Sequence, residues 1–470
     1  MLTDSQSQSP IRDPDRLLPA DTTTRAVARD LYDRVAAAPI ISPHGHVPVD
    51  WLVHDTVFSD PAALLITHDH YVTRLLHASG VDLAKLGVGN AAADPRQIWR
   101  TVAAQWTVFA GTAAGYWMEE ELAGVLGVTE PLTLQSADRI FDHISRLLRT
   151  PEYRPRALFE RFGIEVLATT DDPLDDLAAH EALASSTLSG RIVPTFRPDR
   201  YLDPAVAGFS DNVHALLSAA AAPTTFPGYL HALQSRREHF ITHGAVSTDH
   251  GVEEPYTLDL AVEDAEALFQ AILAGRAGAA QIRDFRGHML LQMARMSVED
   301  GLVMTLHAGV LRNHSTATFQ QYGPDTGHDI PVRTDFVRGL RPLLERFGLE
   351  PEFHLVLFAV DETVYSREIA PLAGFYPSVY IGAPWWFLDA PDAIARFRSA
   401  TTDTAGFSRG SGFIDDTRAF LSIPARHDTA RRADAAFLAR LVVEGRLRIA
   451  DAERIADDIV GPQPKRVFKL

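Results

Sequence analysis

Short apolar runs alternate along the chain with longer stretches in which apolar residues recur at helical spacing. Eight of the short runs are rich in β-branched or other apolar residues and end in polar ones. Near-continuous apolar strands separated by helices are typical of a parallel sheet covered on both faces, so the pattern predicts an α/β fold. Eight such units predict a (β/α)8 barrel of the TIM type. The predicted strands are 38–46, 164–172, 191–199, 244–250, 302–309, 353–362, 378–386 and 412–416.

The spacing of these runs departs from a plain barrel after the first strand. The long interval before the second strand has a helical pattern, which predicts a large helical insertion at about 55–162. An insertion there lies on the active-site side of the barrel, where it can cap the mouth or supply residues to it. We expect 1–34 to form a polar amino-terminal segment and a first helix, and 35–470 to form the barrel. A second helical excursion, 202–240, precedes the fourth strand.

Composition narrows the possible partners. The 470 residues are 46% hydrophobic and 22% charged, which is ordinary for a globular chain with a large core. The net charge of -17, without a block rich in lysine and arginine, argues against nucleic acid and anionic membranes as partners. The polar start is unlike a signal peptide, and no run reaches the roughly 18 apolar residues of a membrane span. We therefore expect a cytoplasmic protein whose partner is a small molecule, and a homo-oligomer.

Two residue types are scarce enough to exclude chemistry. Cysteine is absent, which removes disulfides, thiolate ligands and cysteine nucleophiles. Lysine occurs only at Lys85, Lys465 and Lys469, so Schiff-base chemistry and a lysine-bridged pair of metals have almost no candidates. The chain also shows no glycine-rich dinucleotide fingerprint, so we expect no nucleotide cofactor.

The stretch PHGHV places two histidines at the end of the first predicted strand. His44 and His46 are two residues apart, so in a strand their side chains point to the same side, where both can bind one divalent metal. Asp416 ends the last predicted strand, which closes against the first in a barrel, and is a candidate third ligand. Two imidazoles and a carboxylate favour Zn²⁺, although Mn²⁺ or Fe²⁺ accepts the same set.

Other polar residues follow the predicted strands. Asp249 and His307 are candidates for metal binding or acid–base chemistry, and are equally consistent with buried, hydrogen-bonded polar groups. Arginine is the side chain that binds carboxylates in a bidentate manner, so the arginines after three strands suit a small anion, with salt bridges at the rim as the alternative. These arginines are Arg197, Arg312 and Arg418. Trp385 and Trp386 are candidates to wall the pocket or stack on a sugar, or to pack between barrel and helix.

A series of ordered motifs resembles the uronate isomerase (glucuronate isomerase) family of the amidohydrolase superfamily. The resemblance extends from about residue 35 to the carboxyl terminus. It implies a metal-dependent barrel that converts an aldohexuronate to a ketohexuronate, as D-glucuronate to D-fructuronate or D-galacturonate to D-tagaturonate, by proton transfer through an enediol. The motifs are HDHYVTRLLHASGV, ATTDDPLDDLAAH, VPTFRPDR, HGAVSTDHG, LHAGVLRNHS, GPDTGHD, GAPWWFLD and DDTRAFLS.

The resemblance also implies roles for individual residues. It implies that the metal is bound by His44, His46 and Asp416. Substrate binding falls to His70, Arg197, Arg418, Trp385 and Trp386, with Arg312 added from its position after a strand. Proton transfer falls to Asp416 and Tyr71, with Asp249 and His307 as further catalytic candidates.

Some residues depart from the family pattern. SPHGH lacks the aspartate that often precedes the two histidines, RNHS replaces a run with more asparagine, and FLSIPARHD holds one residue more. These departures leave open a related sugar acid as substrate, and a mononuclear metal-dependent hydrolase or decarboxylase of the same superfamily as the alternative. A binding protein on an inactive barrel is disfavoured because binding alone does not require His44, His46, Asp416 and Tyr71 together.

Overall fold

The protein is described as a computed structural model that places residues 13–89 and 91–470. The expected residues 1–12 of the amino-terminal segment lie outside the described residues. The chain is α/β, with parallel strands surrounded by helices, as the apolar pattern predicts. Its strands are β1 (Ile40–Ser42), β2 (Ile164–Ala168), β3 (Arg191–Val193), β4 (Thr195–Phe196), β5 (Ser247–Val252), β6 (Val303–Ala308), β7 (Val310–Leu311), β8 (Ile330–Pro331), β9 (Leu355–Ala359) and β10 (Val379–Ile381).

The parallel strands form two hydrogen-bonded groups that follow one another around the barrel. One group has the order β1-β2-β3 and the other β4-β5-β6-β9-β10. Pro194, which has no backbone N–H, separates β3 from β4, so the single predicted strand 191–199 becomes two short ones. Asp171 makes a parallel bridge to Phe196 and connects the groups. The central strands β6 and β9 are buried along their whole length, as expected for a sheet covered on both faces.

The eighth predicted strand, 412–416, is an extended segment that forms no ladder among the described residues. Two residues at its ends have left-handed backbones, Gly412 with φ 77° and Asp416 with φ 43°, which breaks the regular strand geometry. The segment nevertheless lies in the place of an eighth strand. The N–H of Ser411 donates to the carbonyl of Ile381 in β10 at 2.9 Å, and the N–H of His46 donates to the carbonyl of Thr417 at 3.1 Å.

Helices follow most strands and fill the interval between β1 and β2. The first half of the chain contains α1 (Thr22–Val35), α2 (Val49–His54), α3 (His70–Ala78), α4 (Pro95–Ala104), α5 (Ala113–Glu120), α6 (Ala137–Leu147), α7 (Pro155–Arg161), α8 (Ala178–Ala184), α9 (Asp199–Leu202), α10 (Phe209–Ala219) and α11 (Phe226–Thr242). The second half contains α12 (Val262–Leu273), α13 (Ala279–Asp300), α14 (Thr316–Tyr322), α15 (Phe336–Gly339), α16 (Arg341–Phe347), α17 (Ala370–Ala373), α18 (Pro391–Ala405), α19 (Ile423–Val443), α20 (Ile449–Val460) and α21 (Pro462–Phe468).

The helices between β1 and β2 share an apolar cluster with the barrel. Buried side chains of α4 and α6, such as Trp99 and Ile144, belong to the same cluster as Ile40 of β1 and Ile164 of β2. Burial of apolar area contributes roughly 25 cal/mol per Å², so this shared cluster fixes the helices against the strand ends. None of the described helices combines the length and apolar character needed to cross a membrane.

Candidate active site

Two histidines and an aspartate meet at the carboxyl end of β1. The Nε2 atoms of His44 and His46 lie 3.2 Å and 3.0 Å from Oδ1 of Asp416. This buried oxygen makes no hydrogen bond of good geometry in spite of these short distances. Ligand atoms placed tetrahedrally at ~2.0–2.1 Å from a cation are about 3.3–3.4 Å apart, close to the spacing seen here. The three residues therefore fit a divalent cation.

The pKa shifts of Asp416 and His46 suit a cation. Burial lowers the pKa of His44, but the carboxylates of Asp249 and Asp416 outweigh it and raise that pKa. Burial raises the pKa of the Asp416 carboxyl, but the adjacent His44 and His46 rings more than offset this and hold the pKa well below its usual range. Burial lowers the pKa of His46. An ionised carboxylate and a neutral imidazole are the forms that bind metals.

A second cluster of two histidines and an aspartate lies beneath the first and shares His44 with it. Ligand atoms of His44, Asp249 and His307 all lie within 4.8 Å of one another. Nδ1 of His307 lies 2.6 Å from Oδ1 of Asp249, while Nη1 of Arg197 lies 3.1 Å from the other carboxylate oxygen. The Arg197 guanidinium already supplies a positive charge at this position, so a second divalent cation would be repelled. The arrangement fits one cation.

A polar cavity of about 290 Å³ opens above this centre. It takes side chains from the strand ends, from α3 in the insertion and from the loop between β7 and β8. Most of the predicted site residues line it: His46, His70, Tyr71, Arg197, Arg312, Trp385, Trp386, Asp416 and Arg418. The predicted site is therefore one cavity to which the insertion contributes.

Other predicted residues do not line this cavity. Asp249 and His307 are buried below it, where the ring of His307 stacks against that of His44 with centroids 4.7 Å apart. His250, which also ends a predicted strand, lies on the opposite face of β5, because neighbouring residues of a strand point to opposite sides. It borders a separate cavity with Arg283 and Arg286.

α3 brings His70 and Tyr71 to the cavity. Asp69 caps this helix, since its side chain accepts a hydrogen bond from the N–H of Tyr71 at 2.8 Å. Burial, aided by nearby Arg418, lowers the pKa of His70 to about 3, so the ring is neutral. Burial raises the pKa of Tyr71 well above its usual value, so the phenol keeps its proton at neutral pH.

Two carboxylates from the loop between β7 and β8 face the cavity arginines. Oδ2 of Asp325 lies 2.9 Å from Nη2 of Arg418, and Oδ2 of Asp329 lies 3.0 Å from Nη1 of Arg312. Sequence reasoning assigned no role to these aspartates, although both lie in the motif GPDTGHD. They balance the positive charge of the cavity.

Behind Tyr71 lies an ion pair that sequence reasoning also missed. The Tyr71 hydroxyl donates to Oδ2 of Asp389 at 3.0 Å, and Nη1 of Arg426 donates to the same oxygen at 2.9 Å. Asp389 ends the motif GAPWWFLD, and Arg426 lies in FLSIPARHD. Both are nearly fully buried. The motifs include both residues, but only the fold shows that the two segments lie next to each other.

A barrel of parallel strands with a His-x-His pair, a late aspartate and an arginine-lined cavity defines a TIM-type barrel with a candidate metal centre at the carboxyl ends of its strands. Residues 20–468 match the family described as glucuronate isomerase. The chain belongs to the glucuronate isomerase family, and is accordingly an enzyme that isomerises uronates between aldose and ketose forms.

Known proteins resemble the chain over nearly its whole length. It is 52% identical to the uronate isomerase of Corynebacterium efficiens, over 97% of this chain and 98% of that one. It is 50% identical to the uronate isomerase of Cutibacterium acnes, with the same coverage. The solved structure of glucuronate isomerase from Caulobacter crescentus superposes with a TM-score of 0.96 at 43% identity, covering 98% of each chain. These likenesses confirm the fold class and the family predicted from the motifs.

Proposed function

We propose that the enzyme converts D-glucuronate to D-fructuronate and D-galacturonate to D-tagaturonate through an enediol, in the cavity described above. The observation that carries the proposal is the meeting of a His-His-Asp centre, a partly buried tyrosine and three arginines around one cavity. A sugar acid offers a carboxylate for the arginines and hydroxyls for the other groups. A polar cavity of this kind excludes neither hexuronate.

His44, His46 and Asp416 would hold one divalent cation, with Zn²⁺ favoured over Mn²⁺ and Fe²⁺ by the donor set. When bound, the cation neutralises and orients the hydroxy-carboxylate end of the sugar. The chain's own arginines bind the same end. Arg418 and Arg312 are already paired with carboxylates, Asp325 and Asp329, that a substrate carboxylate can replace.

Two residues would move the protons. Asp416 takes the proton from C2 and returns it to C1, since its carboxylate is ionised and borders the cavity. Tyr71 exchanges protons with the two oxygens, because the enediol requires O1 to gain a proton and O2 to lose one. His70 is neutral and would accept or donate a hydrogen bond to the sugar. Asp249 and His307 would support Arg197 and His44 from below.

Trp385 and Trp386 would wall the cavity and face the sugar ring. Arg312 supports this wall, since its guanidinium lies 5.1 Å from the centroid of the Trp386 ring. A cytoplasmic location, homo-oligomeric assembly and the absence of a nucleic-acid partner are proposals that rest on the sequence. Sedimentation of the purified protein tests the assembly directly.

Proton NMR tests the reaction. Purified protein of measured metal content is incubated in D₂O with D-glucuronate and, separately, with D-galacturonate. We expect the matching ketouronate from each, and the deuterium content at C1 reports whether the moved proton exchanges with solvent. Release of carbon dioxide without a ketouronate would instead indicate the decarboxylase alternative, and acid release from a lactone of either sugar acid would indicate the hydrolase alternative. No reaction of either sugar with metal-loaded protein would refute the substrate proposal.

A further inference from the structure

The hydroxyl of Tyr71 is held from behind by a buried carboxylate. The hydroxyl donates to Oδ2 of Asp389 at 3.0 Å, and the same oxygen accepts from Nη1 of Arg426 at 2.9 Å. The hydrogen bond from Arg426 fixes the orientation of the Asp389 carboxylate. The carboxylate in turn fixes the direction of the Tyr71 O–H bond. Tyr71 also lines the cavity, so its oxygen can accept a hydrogen bond from a ligand there.

The guanidinium of Arg426 is itself held on several sides. It stacks over the rings of Trp117 and Tyr71, at 3.8 Å and 4.6 Å from their centroids, and its Nε donates to Ser422 Oγ at 2.9 Å. Arg426 is only 1% exposed. A buried ion pair of this kind rarely adds net stability over an apolar pair of the same size, because both charges lose their hydration. Its contact with the cavity tyrosine offers a functional reason for it.

We propose that Asp389 and Arg426 are positioning residues that enable Tyr71 to relay a proton between O2 and O1 of the substrate. The inference rests on the proposed role of Tyr71. As the O2–H proton passes to the Tyr71 oxygen, the tyrosine proton passes to Asp389. The reverse transfer then delivers a proton to O1 and restores the starting state of both residues. No proton is gained or lost overall. Neither Asp389 nor Arg426 touches the sugar.

The charges around the pair are compatible with this relay. Burial raises the pKa of Asp389 to about 7, while Arg426 opposes the shift. A carboxyl with a pKa near neutrality accepts and returns a proton at little cost. Tyr71 alone, with its pKa raised by burial, would be a poor acceptor because a phenolate there is strongly disfavoured. Transfer to Asp389 avoids forming that phenolate.

Kinetics of Asp389→Asn test the inference. We expect kcat for the isomerised uronate to fall by about 10²-fold or more, with KM changed less than about threefold, because the relay is lost while the sugar contacts stay. Arg426→Lys keeps the charge but loses the stacked, planar guanidinium, and should lower kcat by about tenfold. The matched control is Asp434→Asn, which breaks a different buried ion pair, between Arg398 of α18 and Asp434 of α19, away from the cavity. It should unfold at a lower temperature and keep kcat.

A double-mutant cycle separates a relay from a merely structural role. If Tyr71 and Asp389 act as one unit, Tyr71→Phe with Asp389→Asn is no slower than Tyr71→Phe alone, within about twofold. The inference would be overturned if the decrease in kcat of the double variant equalled the product of the decreases of the two single variants. It would also be overturned by near-native kcat in Asp389→Asn when Tyr71→Phe is slow. Near-native kcat in Tyr71→Phe would instead overturn the proposed role of Tyr71. Should Asp389→Asn not fold, Asp389→Ser, which also removes the carboxylate, takes its place in the cycle, with the same criteria.

Discussion

Asp249→Asn is expected to destabilise the fold strongly. The Asp249 side chain is 1% exposed, its Oδ1 accepts hydrogen bonds, and its Oδ2 forms an ion pair. Oδ1 faces Nδ1 of His307 at 2.6 Å and accepts from Thr305 Oγ1 at 3.1 Å, while Oδ2 faces Nη1 of Arg197 at 3.1 Å. Asparagine must turn its NH₂ toward one of these donors, whichever way the amide is placed. The asparagine N–H then faces a buried N–H of either His307 or Arg197, and neither has an acceptor there.

The magnitude follows from burial. Removing one partner of a buried ion pair costs roughly 3–5 kcal/mol. Arg197 keeps Asp199 as a partner at 3.0 Å and its side chain is 26% exposed, so we expect the lower end, about 3 kcal/mol. Asp138→Asn is the matched control. Asp138 also accepts from two arginines, Arg96 and Arg100, but its side chain is 49% exposed, so solvent screens these pairs and their loss should cost far less.

Urea unfolding of both variants, with a chelator present so that metal binding does not contribute, measures the difference. A loss of unfolding free energy in Asp249→Asn no greater than in Asp138→Asn would refute the reasoning.

Burial raises the pKa of Asp249, but Arg197 and His307 outweigh it and hold that pKa well below 3.8. Its stabilisation is therefore complete above the pKa of the unfolded chain and is lost as pH falls through the folded value. The gap between wild type and Asp249→Asn should stay constant from about pH 5 upward and narrow below about pH 4.

Three further changes have defined outcomes. Asp416→Asn should lower kcat by at least about 10²-fold with a native circular dichroism spectrum, since asparagine tolerates the left-handed φ of 43° found there; a near-native rate would exclude Asp416 as the base. Arg418→Gln should raise KM for the uronate by roughly 10- to 100-fold, and an unchanged KM would place the substrate carboxylate elsewhere. Gly327→Ala should destabilise by about 1–3 kcal/mol, because its φ is 88° and an added Cβ would lie 2.6 Å from Cβ of Arg74; an unchanged urea midpoint would contradict this.

Much of the barrel and the centre of the site could be predicted from local pattern. Apolar runs and their spacing identify the strands, and the geometry of a closed barrel brings Asp416 next to His44 and His46. The partners of the arginines could not be predicted in this way. Asp325 reaches Arg418 through a loop whose path depends on left-handed residues, and Asp389 reaches Arg426 through helix packing. Such contacts depend on three-dimensional folding of distant segments, which periodicity does not encode.

The irregular last segment lies between β10 and the turn after β1 without forming a ladder with either, and we call this junction the seam of the barrel. One hydrogen bond joins this segment to β10 and another joins it to the turn after β1. The three candidate metal ligands lie on both sides of that seam, His44 and His46 on one and Asp416 on the other. A cation bound by all three residues would therefore link the first and last parts of the barrel. Its binding energy would stabilise the contact between these two parts. On chelation, amides around 44–46 and 411–417 should be the first in the barrel to exchange with solvent.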